Sequence, residues 1–458
     1  MFTEIRALRF KSWRELPKLR LAPITGLFGS NSSGKTSILQ LILMMQQTTE
    51  STDRSQPLNL GDDRDHVRLG SFIEVLFGHE PEPLEIGLTW RRESPLTVED
   101  PDTQQGVLFS AASIQFETRL SLGRGGAPVV EYFQYKADEN SVLMKRASGK
   151  DNYQLHATIN GDGGYLKRAR GRAWPLPPPH KCYGFPDQTF AYFQNASFVA
   201  DLELELEQQF GRTYYLGPLR GYPNRQYTWS GTEPRDVGDA GARAIEAILA
   251  SRFRGRTNFR KRNAIGRPTK KITVEQHVAE WLQQLGLVSS FTVEQIAEDA
   301  DIYRVWVQRT PDATKVLLTD VGFGVSQVLP VLVLLAYVPS GSTVLLEQPE
   351  IHLHPAVQAG LADVIIEAAE VRGVQVLIES HSEHLLRRLQ RRVSEAAASA
   401  DSIVLYFCDA DLGESRVRDL DLNLFGEIEN WPKDFFGDPF GETAAIRKNI
   451  LKRKAGLD

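Results

Sequence analysis

The chain has 458 residues, of which 41% are hydrophobic and 24% charged, so it can bury a large core and is long enough for two or three structural units. Its formal charge of −5 excludes a global basic field, and any binding of nucleic acid has to come from a local patch. Cys182 and Cys408 lie far apart and match no metal-ligand spacing, which indicates a reducing compartment. Residues 1–6 lack the layout of a signal peptide, and the longest apolar run, 328–338, is too short to cross a bilayer. We therefore expect a cytoplasmic protein without a membrane segment.

A loop between two apolar segments, 24–28 and 36–45, fits the phosphate-binding pattern G-x-x-x-x-G-K-[ST]. Its glycines let the backbone curl so that N–H groups point at phosphate oxygens. Lys35 would reach the β- and γ-phosphates, and the Thr36 hydroxyl would ligate Mg²⁺. The predicted nucleotide-binding residues of this loop are Gly29, Ser30, Asn31, Ser32, Ser33, Gly34, Lys35, Thr36 and Ser37.

The residue pattern changes along the chain between strand-like and helical segments, which predicts an α/β protein. After the first strands and the loop-following helix come β-rich segments, and helical patterns return near 198–210, 241–254 and 274–285. The proline-rich segment 174–179 suits neither a helix nor a central strand and predicts a surface connection. The predicted regions are the first half of an α/β lobe (1–90), a β-rich insertion (91–215), a mostly helical middle region (216–313), the second half of the lobe (314–410) and a small appendage (411–458).

Two apolar strands in the second half of the lobe end in polar residues. The strand 343–347 delivers the carboxylate of Glu347 to the position where a buried parallel strand presents an acid to Mg²⁺, so the predicted metal ligands are Thr36 and Glu347. The strand 374–378 leads to His381, whose ring N–H is well placed to sense a γ-phosphate. The alternative is that His381 caps the helix that follows.

At these motifs the chain resembles the ATP-binding-cassette-type (ABC-type) ATPases of the group that includes the Rad50, RecF and structural-maintenance ATPases and the overcoming-lysogenization-defect nucleases. Within that group it is most similar to stand-alone bacterial AAA ATPases with a small uncharacterised C-terminal domain. The residues that carry the resemblance are 8–13, 29–36, 214–220, 348–355, 379–382 and 426–436. The resemblance implies an α/β ABC-type P-loop ATPase head with a β-rich insertion and a helical middle region, and ATP with Mg²⁺ as cofactors.

The resemblance also implies a homodimer, or a larger oligomer, in which two subunits sandwich ATP. Each nucleotide would be held by the phosphate loop of one subunit and by a signature segment of the other. Gly324, Ser326 and Gln327 stand at the position expected for that signature, although the usual Ser-Gly-Gly order is absent. A plain loop at the start of a helix would also suit these residues.

The catalytic residues implied by the resemblance are Glu347, Gln348, Glu350 and His381. Gln348 stands where a general-base glutamate is usual, and losing a positioned base typically costs about 10²–10⁴ in rate. Either hydrolysis is slow and ATP mainly locks the dimer, or Glu350 supplies the carboxylate. We favour a slow switch to which Glu350 contributes. His352 and His354 suggest a metal site, but their neighbours resemble a dimer-interface loop.

A basic segment, 252–271, holds nine basic residues in twenty and no acid. With interleaved Phe253 and Phe259 it suits DNA or RNA, and a solvated loop or a contact to an acidic protein stays open. The predicted partner-binding residues are Arg252, Arg254, Arg256, Arg260, Lys261 and Arg262.

Three classes of function follow from these features. The first is an ATP-gated dimeric switch in antiviral defence or genome maintenance, which works with an effector protein from the same operon or with nucleic acid. The second is a nuclease of the lysogenization-defect type with Asp409 and Asp411 as metal ligands, although only 47 residues follow Asp411. The third is the ATPase subunit of a transporter.

Overall fold

The computed structural model describes residues 1–102, 106–147, 152–171, 174–259, 271–297, 300–432, 435–436 and 439–454. Across these residues the strands are β1 (Phe2–Phe10), β2 (Trp13–Arg20), β3 (Ile24–Gly29), β4 (Leu84–Glu99), β5 (Val107–Leu122), β6 (Pro128–Ala137), β7 (Asn140–Arg146), β8 (Tyr153–Thr158), β9 (Thr213–Leu216), β10 (Tyr227–Thr228), β11 (Thr257–Phe259), β12 (Lys271–Thr273), β13 (Ser290–Gln295), β14 (Ile302–Gln308), β15 (Val316–Leu317), β16 (Thr343–Glu347), β17 (Gln375–Glu379), β18 (Ile403–Asp411) and β19 (Glu414–Leu420). The α-helices are α1 (Lys35–Glu50), α2 (Phe72–Val75), α3 (Gln188–Tyr192), α4 (Val199–Gly211), α5 (Ala244–Phe253), α6 (Val274–Gln284), α7 (Phe323–Tyr337), α8 (Pro355–Glu370), α9 (Glu383–Ser394) and α10 (Pro439–Lys454).

The central element is a six-stranded sheet in the order β19-β18-β3-β17-β16-β9. Its strands run parallel except β19, which forms an antiparallel hairpin with β18. β3, β16 and β17 are almost continuously buried, as expected for parallel strands covered on both faces. Because the strands run the same way, the phosphate loop and the polar residues after β16, β17 and β9 meet at the carboxyl edge of the sheet.

The second large element is an antiparallel sheet in the order β2-β1-β4-β5-β6-β7-β8. It joins the N-terminal strands to the β-rich segment in one continuous sheet, and β4 runs through the predicted boundary at residue 90. The reason is that the alternating burial of β1 and β4 gives them one shared apolar face. That face packs with α1 and α4 into the first hydrophobic core.

The middle region mixes strands with helices rather than being mostly helical. Its described residues contain α5 and α6 together with the short strands β10 to β14. The difference arises because segments such as 290–295 and 302–308 alternate buried and half-buried residues with period two, which favours strands. α5, α6 and α7 cover the other face of the parallel sheet in the second core.

The segment after β18 packs directly on the six-stranded sheet. β19 extends that sheet, so the predicted boundary at residue 410 falls within the β18–β19 hairpin. Further on, the ring of Phe435 lies 4.7 Å from Phe407 and 4.1 Å from Phe436 between ring centroids. Arg387 on α9 stacks over Trp431 at 4.2 Å.

Among the described residues, no helix is both long and apolar enough to span a membrane.

Candidate nucleotide-binding site

The phosphate loop links β3 to α1 and depends on two glycines with left-handed backbone angles. Gly29 has a φ of +137°, and a β-carbon there would lie 1.9 Å from the carbonyl oxygen of Cys408. Gly34 has a φ of +86°, and its carbonyl accepts a hydrogen bond from the indole of Trp13 at 3.1 Å. The loop is therefore held against β18 and against the turn between β1 and β2, where other residue types would clash or be strained.

Lys35 is buried and its ammonium group lies within the loop itself. Its Nζ donates to the carbonyl oxygens of Ser30 at 2.5 Å and Gly29 at 3.2 Å, and lies 3.3 Å from the hydroxyl of Ser33. Burial lowers the pKa of Lys35, and the nearby charges of Glu379 and Glu350 oppose that change. The cation is thus held by neutral loop oxygens, which a phosphate group can replace with charged ones.

Two acids end neighbouring strands directly beside the loop. Glu347 and Glu379 are paired in register at the ends of β16 and β17. The hydroxyl of Thr36 donates to Glu379 at 2.9 Å, and the hydroxyl of Tyr215 donates to Glu347 at 2.7 Å. Burial, and then the charge of Glu347, raise the pKa of Glu379 to about 7. The two carboxylates repel each other at the mouth of the loop, a position that favours a bound cation.

Glu350 is also buried, and it ties two loops together. Its Oε1 accepts from the hydroxyl of Ser380 and from the backbone N–H of His381, each at 2.7 Å. Within the described residues, its Oε2 has no hydrogen-bond partner. Burial raises the pKa of this carboxyl group. One oxygen of Glu350 thus has a structural role and the other keeps its acceptor capacity.

His381 does not cap the helix after β17. The N-cap of α9 is Ser382, whose hydroxyl accepts from the N–H of Leu385 at 3.1 Å. Burial, and then the charge of Lys35, lower the pKa of His381, while a hydrogen bond with the backbone of Gly29 opposes this change. The imidazole therefore lies against the phosphate loop, where burial and Lys35 disfavour its protonated form.

Gln348 follows Glu347 in a left-handed conformation with a φ of +43°. Its backbone N–H donates to the carbonyl oxygen of Glu379 at 2.8 Å, which continues the pairing of β16 with β17 by one residue. The side chain is half-buried at this edge. An amide in this position can orient a water molecule but cannot take its proton.

The predicted signature residues lie at the start of α7, which begins at Phe323. The hydroxyl of Ser326 donates to the carbonyl oxygen of Phe323 at 2.8 Å, and Ser326 and Gln327 are buried. The ring of Phe323 lies 5.4 Å from that of Tyr222 between centroids. Ser326 would have to exchange its internal hydrogen bond to contact a second molecule.

The two histidines after Gln348 are exposed. His354 is the N-cap of α8, where its Nδ1 accepts from the N–H of Ala356 at 3.3 Å. His352 lies with its ring 6.0 Å from Phe323. In the described portion of the chain, no group of three or more His, Cys, Asp or Glu side chains could hold a metal ion.

Three arginines of the basic segment are already paired with acids of the same chain. Arg252 binds Glu275 through Nη2 at 2.5 Å, while Arg254 and Arg256 both bind Glu233. The ring of Phe253 is 79% exposed and lies 5.8 Å from that of Trp229. The remaining predicted partner residues, Arg260, Lys261 and Arg262, lie outside the described residues.

The carboxyl edge fits a nucleotide with Mg²⁺. The first turn of α1 carries no acid, so its free N–H groups favour an anion. Buried Oε2 atoms of Glu350 and Glu379 have no hydrogen-bond partner among the described residues, which leaves hard oxygen acceptors beside the hydroxyl of Thr36.

Sequence reasoning left three residues of this edge out of the predicted site. Glu379 lies beside Thr36, and Tyr215 and Arg220 follow from β9, the strand next to β16. The segment 214–220 contributed to the resemblance without a role. A signal was available for Glu379, because it ends the apolar strand 375–379 as Glu347 ends its own. No pattern in the sequence places β9 beside β16, so Tyr215 and Arg220 could not be found in that way.

Two family matches cover the second half of the chain. Residues 236–387 match the family described as "AAA domain, putative AbiEii toxin, Type IV TA system". Residues 399–446 match "Protein of unknown function (DUF3696)". The first match contains the strands that end in Glu347 and Glu379, and the second begins just before β18.

Solved structures with similar folds include heads of structural-maintenance ATPases. The SMC head domain from Thermotoga maritima is 11% identical with a TM-score of 0.42, over 92% of this chain and 99% of that one. An SmcHead bound to the C-winged helix domain of ScpA is 11% identical with a TM-score of 0.47, over 92% and 98%. An Smc head with an extended coiled coil, bound to the C-terminal domain of ScpA derived from Pyrococcus furiosus, is 10% identical with a TM-score of 0.44, over 98% and 99%. No curated protein matches the chain at a significant level.

The two family matches agree with the motifs and with the sheet. The prediction of an AAA-type ATPase with a small uncharacterised C-terminal domain is confirmed, and so is the α/β fold class. The chain thus contains an AbiEii-like AAA domain over residues 236–387, followed by a DUF3696 segment over residues 399–446.

Proposed function

We propose that this protein is an ATP-binding, slowly hydrolysing switch that closes as a homodimer and acts with a partner effector or nucleic acid. The observation that carries the proposal is the environment of Gln348. It holds the position after Glu347 at the edge of the phosphate loop, and the nearby carboxylate of Glu350 already uses one oxygen for Ser380 and His381.

The residues of the loop have separate tasks in this proposal. Lys35 would exchange the carbonyl oxygens of Ser30 and Gly29 for phosphate oxygens, with the N–H groups of the loop and of the start of α1 as further donors. Thr36 and Glu347 would hold Mg²⁺, with Glu379 beside them as a hydrogen-bond partner of Thr36. When bound, Mg²⁺ supplies charge neutralisation for the phosphates.

We expect slow turnover because the side chains at this edge are poorly suited to act as a general base. Gln348 accepts no proton, and Glu350 offers a single oxygen that its surroundings keep buried. Burial and the charge of Lys35 lower the pKa of His381, so its ring N–H is suited to orienting a phosphate or water rather than to donating a proton. A long-lived ATP-bound state is therefore the expected outcome, and such a state suits a switch better than a motor.

Dimer closure is supported by apolar rings exposed near the carboxyl edge. Tyr222 is 78% exposed, and its ring lies 5.4 Å from Phe323 at the start of α7. Leu219 in the same loop is also exposed. Apolar side chains in such a group are expected to be covered by a partner. In the proposed dimer, Gly324 and Ser326 of one subunit would face the nucleotide of the other.

A role beside a second protein is supported by the family description. That description names a putative toxin of a type IV toxin–antitoxin system, and it favours antiviral defence over general genome maintenance. The nuclease alternative loses support, because Asp409 and Asp411 form ion pairs with Arg418 and Arg416 across the β18–β19 hairpin.

Particle mass in the presence of nucleotide tests the proposal. We expect the wild-type chain to double in mass with ATP and Mg²⁺ and to stay dimeric for many minutes, and to return to the monomer with ADP. Lys35→Ala should stay monomeric under every condition, while the control Lys18→Ala, at an exposed ion pair with Glu4, should behave as wild type. A mass that does not respond to ATP would overturn the dimeric switch.

A further inference from the structure

Arg220 carries a buried guanidinium that has no hydrogen-bond partner in the described part of the chain. None of its three guanidinium nitrogens has a hydrogen-bond partner within the described residues, and each is shielded from solvent. Burial lowers the pKa of this group to about 10. A guanidinium carries five N–H donors, and native proteins rarely leave buried donors unsatisfied. The arrangement costs folding free energy and therefore calls for a functional reason.

The position of Arg220 is fixed by the loop that carries it. This loop leaves β9 at the carboxyl edge, and backbone hydrogen bonds hold both of its ends. The N–H of Gly217 donates to Asp239 at 2.8 Å, and that of Gly221 donates to Ala240 at 2.9 Å. Arg220 is thus clamped beside the nucleotide site.

The acids near Arg220 favour its positive charge, but they form no hydrogen bond with it among the described residues. The charges of Glu347 and Glu350 and the phenol of Tyr215 favour its protonated form. Tyr215 instead donates its hydroxyl to Glu347, and Oε1 of Glu350 accepts from Ser380, while neither carboxylate is a hydrogen-bond partner of the guanidinium among the described residues. The guanidinium keeps all its donors for a ligand that enters between these acids.

We propose that Arg220 binds the terminal phosphoryl group of the nucleotide and makes the site prefer ATP to ADP. This inference rests on the proposed nucleotide site and names the group by which the site recognises the γ-phosphate. Arg suits the task because its planar fork matches two phosphate oxygens at once. Lys35 lies beneath the loop, whereas Arg220 approaches from β9 on the far side of β16.

The same loop links the phosphoryl group to the exposed rings. Leu219 precedes Arg220, and Tyr222 follows it by two residues in contact with Phe323. Drawing the guanidinium onto a phosphate would therefore fix the loop that presents these apolar side chains. An ATP-bound site and an ADP-bound site would then offer different surfaces to a second subunit.

Calorimetric titration with ATPγS and with ADP, each with Mg²⁺, tests the inference. We expect Arg220→Ala to weaken ATPγS binding about 10- to 100-fold and to leave ADP binding within about twofold of wild type. Arg225→Ala is the matched control, because this exposed arginine of the same loop region pairs with Asp320. An unchanged ratio of the two affinities would overturn the inference, and so would an equal loss of both. A wild-type chain that binds neither nucleotide would overturn the proposed function as well.

Thermal unfolding of the nucleotide-free chain separates a ligand role from a structural one. Arg220→Met removes a buried cation that has no hydrogen-bond partner among the described residues, and this variant should melt at or above the wild-type temperature. Arg372→Met is the contrasting variant, since buried Arg372 donates to the carbonyl oxygens of Leu335 and Val338. It should melt several degrees lower. Equal destabilisation by both substitutions would make Arg220 a structural residue and overturn the inference.

Discussion

Two groups of arginine and lysine side chains in the described part of the chain differ in what balances their charge. At the carboxyl edge of the parallel sheet, Lys35 rests on neutral carbonyl oxygens and Arg220 has no hydrogen-bond partner among the described residues. At the end of α5, Arg252 pairs with Glu275, and Arg254 and Arg256 share Glu233.

The difference shows where an anion can bind without displacing anything charged. A phosphate that reaches Lys35 replaces neutral oxygens with charged ones and gains charge-assisted hydrogen bonds. A phosphate that reaches the end of α5 must first compete with a carboxylate of the same chain. Basic composition alone therefore says less about anion binding than the partners that the fold supplies.

We expect the largest effect from removing the ammonium group at the carboxyl edge of the parallel sheet. Lys35→Ala should lower the affinity for ATP by at least about 100-fold, because it removes the only ammonium that the described phosphate loop holds. Fluorescent-nucleotide titration measures this loss. If the variant melts like wild type and still binds ATP with wild-type affinity, the loop is not the nucleotide-binding site.

Glu379→Gln should have the next largest effect. The amide keeps the size of the side chain but loses the charge that faces Thr36 and Glu347. We expect the Mg²⁺ concentration for half-maximal ATP turnover to rise about 10-fold, as is usual when a side chain behind a metal ligand is altered. Glu383→Gln, at the partly exposed ion pair with Arg387 on α9, is the control and should leave this concentration unchanged. An unaltered Mg²⁺ requirement in Glu379→Gln would contradict the proposed arrangement.

The arginines at the end of α5 can be freed by removing the charge of the acid that pairs with them. Glu233→Gln frees Arg254 and Arg256, so we expect it to raise the affinity for single-stranded DNA several-fold and to steepen the salt dependence of binding. Glu294→Gln, at an exposed pair with Lys315, is the control. Filter binding at two salt concentrations measures both quantities. If the wild type already binds DNA tightly and Glu233→Gln does not change that affinity, the ion pairs of Glu233 do not control DNA binding.

The smallest effect concerns stability in the first core, away from both groups. Burial raises the pKa of Glu203 to about 7 from 4.5, while its contact with the N–H of Phe185 opposes the change. The folded chain therefore binds more protons than the unfolded chain between these values, and its free energy of unfolding should fall as pH rises from about 4.5 to about 7. Glu203→Gln should flatten this slope in urea unfolding; a slope that persists unchanged would assign it to other groups.

The sequence predicts the parts of this molecule that depend on local order. The phosphate loop, the acid at the end of β16 and the histidine after β17 are each contained in a few adjacent residues. Other features depend on pairing over long distances. The sheet that joins β1 to β4, and the place of Arg220 beside Glu347, arise from strands far apart in the chain. The ion pairs at the end of α5 could not be foreseen either, because Glu233 and Glu275 lie outside the basic stretch that suggested a free surface.

ATP turnover by wild type, Gln348→Glu and Glu350→Gln tests the central claim most directly. We predict slow turnover in the wild type, an increase of about 10²-fold in Gln348→Glu as a general base is supplied, and a decrease of about 10-fold or less in Glu350→Gln. Fast turnover in the wild type that Glu350→Gln abolishes and Gln348→Glu does not raise would contradict the claim. Glu350 would then be the base, and the protein would cycle instead of holding ATP.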